Sequence, residues 1–454
     1  MRVFLGFLIV SMLSAFSYGQ KVLTLHEAIN VALHRNTTLQ KSINNIKSSE
    51  SNLTAAYGGL LPNLGASAGY GWTRNVTPGT SGRTYTISGI TFNTPPTPSS
   101  TTDNYNYSVG VQGSWTLFDG LSNLLNVSQS KKNLESARLQ LENLKQNTVF
   151  QTINLYYTVI DNQQLVKVKE DNVAWNKRNV ETVTERNKLG AVTLADVYSA
   201  QVQEGNAEVD LIQTKNSLET SISQLLYYLG LDVLQKYSFS DSLTSKEESI
   251  LNTNISDEYS GLESMVKEAL ANRADYKSAV LDYEAAENGV GIAEGGYYPN
   301  LTTRYGYNSY VYSLSDLNKS RSYSINLNLN IPIFEGFSID NQVQMAKVNA
   351  MNKKVDLEDL TRTIKQNLQQ TFLNAQAAKK SLDVNRRNVQ AADENLKIAQ
   401  EKYALGSGTL LDVLIANSNY TTARTNFINS EFQYIVLNEQ LKYYLGVLNY
   451  ENYE

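Results

Sequence analysis

The chain has 454 residues and a formal net charge of −5 from 39 basic and 44 acidic side chains, without a basic cluster, so nucleic acid is not an expected partner. It contains no cysteine, which excludes disulfides, thiolate metal ligands, cysteine nucleophiles and a lipid on an amino-terminal cysteine. Its two histidines, His26 and His34, lack the spacing of a helical metal pair, and we expect neither a metal nor a cofactor.

The first residues have the pattern of a secretory signal peptide. Arg2 supplies a positive charge, residues 3–13 form an apolar run, and Ser17 and Gly19 place small side chains at the cleavage-recognition positions. The run is much shorter than the roughly 20 residues that a membrane-spanning helix needs. We therefore predict a signal peptide at residues 1–19. No later stretch is apolar and long enough for a spanning helix, so any membrane passage is expected from strands.

The remainder of the chain is a tandem duplication. The matching segments are Pro62-Asn63-Leu64 with Pro299-Asn300-Leu301, Phe118-Asp119-Gly120 with Phe334-Glu335-Gly336, and Tyr227-Tyr228-Leu229-Gly230 with Tyr443-Tyr444-Leu445-Gly446. The first match has an offset of 299 − 62 = 237 residues, and the second and third share an offset of 336 − 120 = 216. Pro62 and Pro299 mark predicted junctions between a helix and a strand.

The constant second offset predicts long helices. One inserted residue would rotate everything after it by about 100°, whereas loops tolerate insertions. A seven-residue recurrence in the first copy predicts a coiled-coil seam. Its two series are Leu134, Leu141, Thr148 and Leu155, and Ala137, Leu144, Gln151, Thr158 and Leu165. A helix over residues 121–189 would extend roughly 100 Å.

Period-two alternation predicts strands between these helices. Residues 104–117 and 323–333 carry aromatic and aliphatic side chains on one face and Asn, Ser, Thr and Gln on the other. This pattern is typical of a transmembrane barrel with a wet lumen, and a half-buried soluble sheet is the alternative. Each copy supplies two strands, and four strands cannot close a membrane barrel, so the chain is expected to oligomerise. The proline-containing residues 77–102 are predicted to be a mobile loop at the outer mouth.

Two Leu-Gly turns separate the long helices of each copy. Their residues are Leu189, Gly190 and Thr193 in the first copy and Leu405, Gly406 and Thr409 in the second. Glycine just past a helix accepts the left-handed conformation that ends it, and threonine can cap the helix that follows. Asp196 and Asp412 then fall at the third position of those helices, near the positive end of the helix dipole.

These motifs together resemble those of the outer membrane efflux proteins of the TolC type. The resemblance rests on Leu25-His26-Glu27-Ala28-Ile29 near the start, the two Pro-Asn junctions, the Phe-acid-Gly segments and the Leu-Gly-x-x-Thr-x-x-Asp-Val turns, in the same order in both copies. It implies an α+β membrane protein in which a long α-helical coiled-coil barrel continues a transmembrane β-barrel, formed by a trimer with four strands per protomer. It also implies repeats at 20–230 and 262–446, an equatorial linker at 231–261 and a tail at 447–454.

The resemblance further implies an exit duct in the outer membrane, with a periplasmic helical tunnel, serving a tripartite efflux or type I secretion system. Implied partners are outer membrane lipid, a periplasmic adaptor and, through the adaptor, an inner-membrane transporter. The two turns would form the adaptor-facing tip, and three copies each of Asp196 and Asp412 would form acidic rings at the entrance. Ser199 and Ile415 occupy the positions where some family members carry a second acid, so a double ring is not expected.

Two other classes of protein are alternatives to an exit duct. A structural or adhesive trimeric coiled coil with a membrane barrel would show the same heptads, aromatic strands and signal peptide, but it predicts an outward-facing stalk. Strands in the middle of each copy and turns at one end favour a periplasmic tunnel instead. We do not expect an enzyme, because the sequence has no His/Cys cluster, glycine-rich phosphate loop or nucleophile elbow.

Overall fold

The computed structural model describes residues 21–240, 245–252 and 261–451, so the predicted signal peptide lies outside the described residues. Contacts divide the chain into two units. Among the described residues, the helical unit contains those up to 45, those within 138–277 and those from 358 onwards. The sheet unit contains residues 46–137 and 278–357. Each unit takes segments from both copies of the duplication, and the repeat and linker boundaries given above stay predictions.

The described strands have between 3 and 20 residues, and the described α-helices between 8 and 67. In chain order they are β1 (Lys21–Leu23), α1 (Leu25–Arg35), α2 (Thr37–Gly58), β2 (Asn63–Thr77), β3 (Arg83–Ile87), β4 (Ile90–Thr94), β5 (Ser100–Asp119), α3 (Ser122–Lys188), α4 (Leu194–Tyr228), β6 (Tyr237–Phe239), α5 (Ser245–Asn252), α6 (Leu262–Asn272), α7 (Ala274–Glu294), β7 (Asn300–Val311), β8 (Ser322–Asn330), α8 (Ser338–Ala404) and α9 (Leu410–Leu445). The helices α3 and α8 each have 67 residues. Both start and end at positions 216 residues apart (338 − 122 and 404 − 188), which confirms the long helices predicted from the constant offset.

The positions that α3 buries in the single chain are not mainly those of the predicted coiled-coil seam. On α3, Val149, Ile153, Tyr156 and Ile160 are buried at helical spacing, whereas Thr158 of the predicted seam is exposed. The buried stripe therefore follows contacts within one chain, and most seam positions are only half-buried in it. None of the described helices is both long enough and apolar enough to span a membrane.

The sheet unit is built on a four-stranded antiparallel sheet in the order β2-β5-β7-β8. One face carries exposed apolar residues, including Trp72, Val109, Ile325 and Leu327. The other face carries Asn, Gln, Ser, Thr and Gly, because the side-chain period of a strand is two. The strands and their two chemically different faces are those predicted from the alternation, except that β8 ends at Asn330, before Ile331 and Ile333 of the predicted strand, where Pro332 cannot donate to a neighbouring strand. The outer edges of β2 and β8 have no strand partner among the described residues.

Two tyrosine pairs on the apolar face repeat the duplication in three dimensions. The ring centroids of Tyr70 and Tyr107 are 5.2 Å apart, and those of Tyr307 and Tyr323 are also 5.2 Å apart. Each pair joins neighbouring strands directly opposite each other. The offsets 237 and 216 relate the first pair to the second, so both copies place the same cross-strand aromatic contact.

Residues 77–102, predicted to be a mobile loop, contain a short β-hairpin that the sequence analysis did not predict, and their mobility stays a prediction. β3 and β4 pair antiparallel, with Ser88 and Gly89 at their turn. Both turn residues have positive φ, +51° and +80°, as a two-residue hairpin loop requires. Stacked Tyr85 and Phe92, with ring centroids 5.6 Å apart, cover one side of this hairpin.

The core of the helical unit forms where short elements pack on the long helices. β1 pairs in parallel with β6. Ile29 of α1, Leu225 of α4 and Tyr434 of α9 are fully buried in one apolar cluster with the middle of α3. Each such side chain contributes about 1.5–3 kcal/mol by leaving water. The strand β1 thus pairs with residues 237–239, which lie within the predicted equatorial linker at 231–261.

Candidate functional site at the two helix-hairpin turns

Each long helix ends in a turn in which a glycine reverses the chain. After α3, Gly190 has φ +76°, its N–H donates to Asn187 O over 2.8 Å, and the next N–H donates to Arg186 O over 2.9 Å. After α8, Gly406 also has φ +76°, and the same two hydrogen bonds measure 3.2 and 2.9 Å. This pair of bonds is the Schellman termination, which satisfies carbonyls that the helix leaves open.

Both turns project their leucines and leave space around their glycines. Leu189 and Leu405 are each 84% exposed. A Cβ atom added at Gly190 or Gly406 would meet no other atom within 4 Å. Any substitution at these glycines is therefore opposed by the left-handed backbone and not by crowding.

The helices that follow begin with matching capping boxes. Thr193 Oγ1 accepts from the N–H of Asp196 over 3.2 Å, and the N–H of Thr193 donates to Asp196 Oδ2 over 2.9 Å. In the second copy Thr409 Oγ1 accepts from Asp412 N over 3.2 Å, and Thr409 N donates to Asp412 Oδ2 over 3.0 Å. The reciprocal bonds satisfy two free N–H groups at each helix start. The threonine caps and the third-position aspartates are those that the sequence predicted, and the return bond from each threonine N–H to its aspartate was not predicted.

The two aspartates use one carboxylate oxygen each for capping. Hydrogen bonds from the side chain and backbone of Thr409 lower the pKa of the exposed Asp412 below its ordinary value. Asp196 makes the corresponding bonds, including one from Thr193 Oγ1 over 2.7 Å. Because Oδ2 alone accepts these bonds, the other oxygen of each carboxylate is available to a cation in solution.

The structure brings the two turns together through Arg186, which the sequence analysis missed. The Arg186 guanidinium donates to Tyr403 O over 3.1 Å and to Ala404 O over 3.2 Å, and it lies 4.5 Å from the centre of the Tyr403 ring. Arg186 is in the last turn of α3, and the two carbonyls are in the last turn of α8. A cation at the carboxyl end of a helix is favoured by the helix dipole, so one arginine serves two helix ends.

An apolar cluster packs beneath this contact. Its buried members come from both hairpins and are Val183, Val197, Ala200 and Leu410. Val192 and Leu414 pack against it and are partly buried. The first-copy turn and the second-copy turn therefore form one packed structure within a single chain.

A groove of about 500 Å³ opens beside the packed turns. Trp175, Arg178, Asn179, Arg186 and Tyr403 contribute to its lining. Asn179 Nδ2 and Tyr403 Oη are buried atoms without a hydrogen-bond partner among the described residues. A buried polar group without a partner costs about 1–3 kcal/mol, so these two atoms lower the stability of the packing around the groove.

The two predicted helix–strand junctions lie in the sheet unit. Pro62 directly precedes β2 and Pro299 directly precedes β7. At the same end of the sheet, just after the second strand of each pair, Leu121 and Phe337 have positive φ of +71° and +63°, each following a glycine with positive φ. The repeated left-handed corner turns each copy from the strand region into a long helix.

Comparison with known proteins identifies relatives along almost the whole chain. The sequence model described as outer membrane efflux protein matches residues 28–231 and 265–447. Outer membrane protein TolC of Salmonella enteritidis is 24% identical over 458 residues, covering 99% of this chain and 87% of its own. Outer membrane efflux protein BepC of Brucella suis is 24% identical over 422 residues, covering 92% of this chain and 84% of its own.

Solved structures share the fold at lower sequence identity. The CmeC outer membrane channel of Campylobacter jejuni superimposes with a TM-score of 0.78 at 17% identity, covering 93% of this chain and 85% of its own. The outer membrane protein VceC of Vibrio cholerae superimposes with a TM-score of 0.77 at 19% identity, covering 93% of this chain and 96% of its own.

Proposed function

The chain belongs to the outer membrane efflux protein family, and on this premise we propose that three copies assemble into one exit duct whose entrance is built by the two helix-hairpin turns. Family membership makes the chain an outer membrane efflux protein, and the family consists of channels rather than enzymes. The assembly, the entrance and the partners are the proposed part.

The four-stranded sheet is the observation that carries this proposal. Its apolar face is exposed in the single chain, with Ile325 84% and Leu327 67% accessible, which suits contact with outer membrane lipid. The opposite face of the sheet is polar. The two edge strands, β2 and β8, each have one side without a strand partner among the described residues. Unpaired edges inside a membrane are costly, so neighbouring copies are the natural partners of β2 and β8. Three sheets of four strands then make a twelve-stranded barrel.

An exposed apolar stripe on α4 supports assembly of the helical unit as well. Its members are Leu194, Tyr198, Val202, Val209 and Ile212, each more than half exposed. They recur at helical spacing along one face of the helix. Contact between copies would bury this stripe and complete the helical tunnel that the family resemblance implies.

The packed turns are the proposed docking site for a periplasmic adaptor, and through it for an inner-membrane transporter. Exposed Leu189 and Leu405 offer apolar contacts, and the adjacent groove, lined in part by Trp175 and Arg178, offers a concave surface beside them. Asp196 and Asp412 would add acidic rings at the same entrance in a trimer. Cations are then favoured and anions opposed at this point of the duct.

Two measurements on the purified protein test the exit duct. The first is the mass of the protein in detergent, for which we expect a trimer; a monodisperse folded monomer would contradict the proposal. The second is single-channel conductance in planar bilayers, for which we expect an open aqueous path. An adhesive or structural trimer has no reason to conduct, so trimers without conductance would reject the duct.

Two neighbouring residues of β8 provide matched variants for the sheet. Leu327→Lys places a charge on the apolar face, at a cost of about 2–4 kcal/mol near the bilayer midplane. We expect it to reduce insertion into the outer membrane severalfold. Asn328→Lys places the same charge on the polar face and should insert normally. Equal insertion of the two variants would contradict the assignment of the faces.

A further inference from the structure

The polar face of the sheet carries a single basic side chain, Arg304 of β7. Within β2, β5, β7 and β8 the other charged residues are Arg74 and Asp103, which pair with each other on the opposite face, and Asp119 at the end of β5. Asp119 accepts from the N–H of Asn123 over 3.0 Å and so caps the start of α3. Arg304 therefore has no acidic neighbour along the polar strands.

The surroundings of Arg304 are neutral hydrogen-bonding groups. Arg304 lies opposite Ser114 of β5 and Asn326 of β8 in the sheet register. These three residues, with Asn63, Gln112 and Asn308, line a depression of about 350 Å³ that contains no carboxylate. Gly306, two residues along the same face, has no side chain to fill it. The exposed guanidinium has no hydrogen bond or ion pair with any described residue.

A neighbouring copy does not supply the missing carboxylate. β7 is an inner strand of the sheet, with β5 and β8 on its two sides. The strand that a neighbour would place beside β8 is β2, whose polar face from Asn63 to Thr73 contains only Asn, Gly, Ser and Thr. The five N–H donors of Arg304 thus remain for a group that arrives from the lumen.

We propose that Arg304 forms an anion-binding ring in the lumen of the barrel, with one guanidinium per protomer. The inference rests on the proposed trimeric duct, in which the polar face lines the lumen. Offset by 237 residues, the first-copy counterpart of Arg304 is Ser67, so a trimer carries three arginines at this level and not six. A guanidinium binds oxyanions through two parallel hydrogen bonds, and amides and hydroxyls around it add further donors.

The ligand class is the oxyanion, a carboxylate, sulfate or phosphate group on exported molecules. The ring would hold such cargo weakly inside the duct, and it opposes the cation preference expected from Asp196 and Asp412. The duct then has two charge filters of opposite sign, one on the helix-hairpin turns and one on the sheet. Conduction requires weak binding at each, because a tightly held group would not leave.

Citrate block of single channels tests the ring in the purified full-length protein. We expect millimolar citrate to reduce the conductance of the parent, and Arg304→Gln to raise the concentration for half block at least tenfold. The same variant should raise the ratio of potassium to chloride permeability. Arg304→Lys keeps the charge without the paired donors, so it should retain the ion preference and lose most of the block.

Arg83→Gln is the matched control, because it removes the same charge from β3, outside the four-stranded sheet. It should leave citrate block and ion preference unchanged. The inference is overturned if Arg304→Gln channels conduct with the block and selectivity of the parent, or if Arg83→Gln shifts both as much. A parent protein that inserts but never conducts would overturn the duct itself, and the ring with it.

Discussion

The guanidinium of Arg273 donates from Nη1 to the backbone oxygen of Tyr444 over 3.1 Å, and in the first copy Asn36 donates from Nδ2 to the oxygen of Tyr228, also over 3.1 Å. The acceptors are related by the offset 216 and the donors by the offset 237. Two different side chains thus make the same contact between a short helix pair and the end of a long hairpin. In the second copy the donor is further held by a bidentate ion pair with Asp275.

This equivalence predicts how the second copy responds to substitution. Arg273 is 7% exposed, and Arg273→Ala leaves Asp275 and the Tyr444 oxygen without their partner, at a cost of about 3–5 kcal/mol. The double variant Arg273→Asn with Asp275→Thr installs the residues that the first copy carries at these positions, Asn36 and Thr38. We expect it to recover at least half of the loss in thermal unfolding of the detergent-solubilised protein. Equal melting of the two variants would contradict the equivalence.

Substitution of the turn glycines should impair export without affecting insertion into the membrane. Gly190→Val with Gly406→Val forces β-branched residues to φ +76°, at about 1–2 kcal/mol for each turn. The strain distorts the proposed adaptor-facing surface, so efflux should fall severalfold at a normal outer membrane level. The measurement is efflux of a fluorescent dye in whole cells. Gly89→Val is the control, since Gly89 also has positive φ, +80°, and open space around it but lies in the turn between β3 and β4. Normal export by the double variant would contradict a role of these turns in export.

Loss of Arg186 should loosen the packed turns. Arg186→Ala removes two charge-assisted hydrogen bonds and the contact with the Tyr403 ring, worth about 1–3 kcal/mol together. The two hairpins then separate more readily, and hydrogen exchange at residues 186–196 and 402–412 should accelerate severalfold. Tyr403→Phe keeps the ring and removes a hydroxyl that has no described partner, so it should exchange like the parent. Unchanged exchange in Arg186→Ala would show that the apolar cluster alone holds the turns.

Neutralising Asp196 and Asp412 separates their structural and electrostatic roles. Asn at both positions keeps an oxygen that can accept from threonine, so thermal stability should change little. Six carboxylates are lost in a trimer, and we expect lower cation preference and at least tenfold weaker block by trivalent cations in planar bilayers. Identical selectivity and block would show that the aspartates only start their helices.

The lowered pKa of Asp412 sets the pH range of that effect. An acid whose pKa is depressed in the folded protein stabilises it above the ordinary carboxyl pKa, and this stabilisation is lost as the pH falls through the lowered value. The part of the cation block that depends on Asp412 should therefore persist at pH 4, near the ordinary value of about 3.9, because Asp412 is protonated only in stronger acid. Block that is already lost at pH 5 would contradict the hydrogen-bonded carboxylate.

Short-range features of this protein were set by its sequence. The constant offset predicted the limits of α3 to within one residue, because helical periodicity tolerates no insertion. The glycine terminations and the threonine caps followed in the same way, since their hydrogen bonds join residues three to five apart. The return bond from each threonine N–H to its aspartate was not predicted. The hairpin of β3 and β4 could also have been predicted, because Ser88-Gly89 lies between two segments of alternating polarity. The prolines on both sides of these segments favoured the prediction of a loop instead.

Only the tertiary structure decided which distant groups meet. Arg186 reaches carbonyls 217 and 218 residues away, and nothing in the residues around it distinguishes this arginine from others near helix ends. The isolation of Arg304 likewise depends on strands β5 and β8, which lie far from it in sequence and bring amides and hydroxyls, but no carboxylate, to its sides. Local periodicity fixes the face on which a side chain lies, whereas its partners are fixed by chain segments that packing brings beside it.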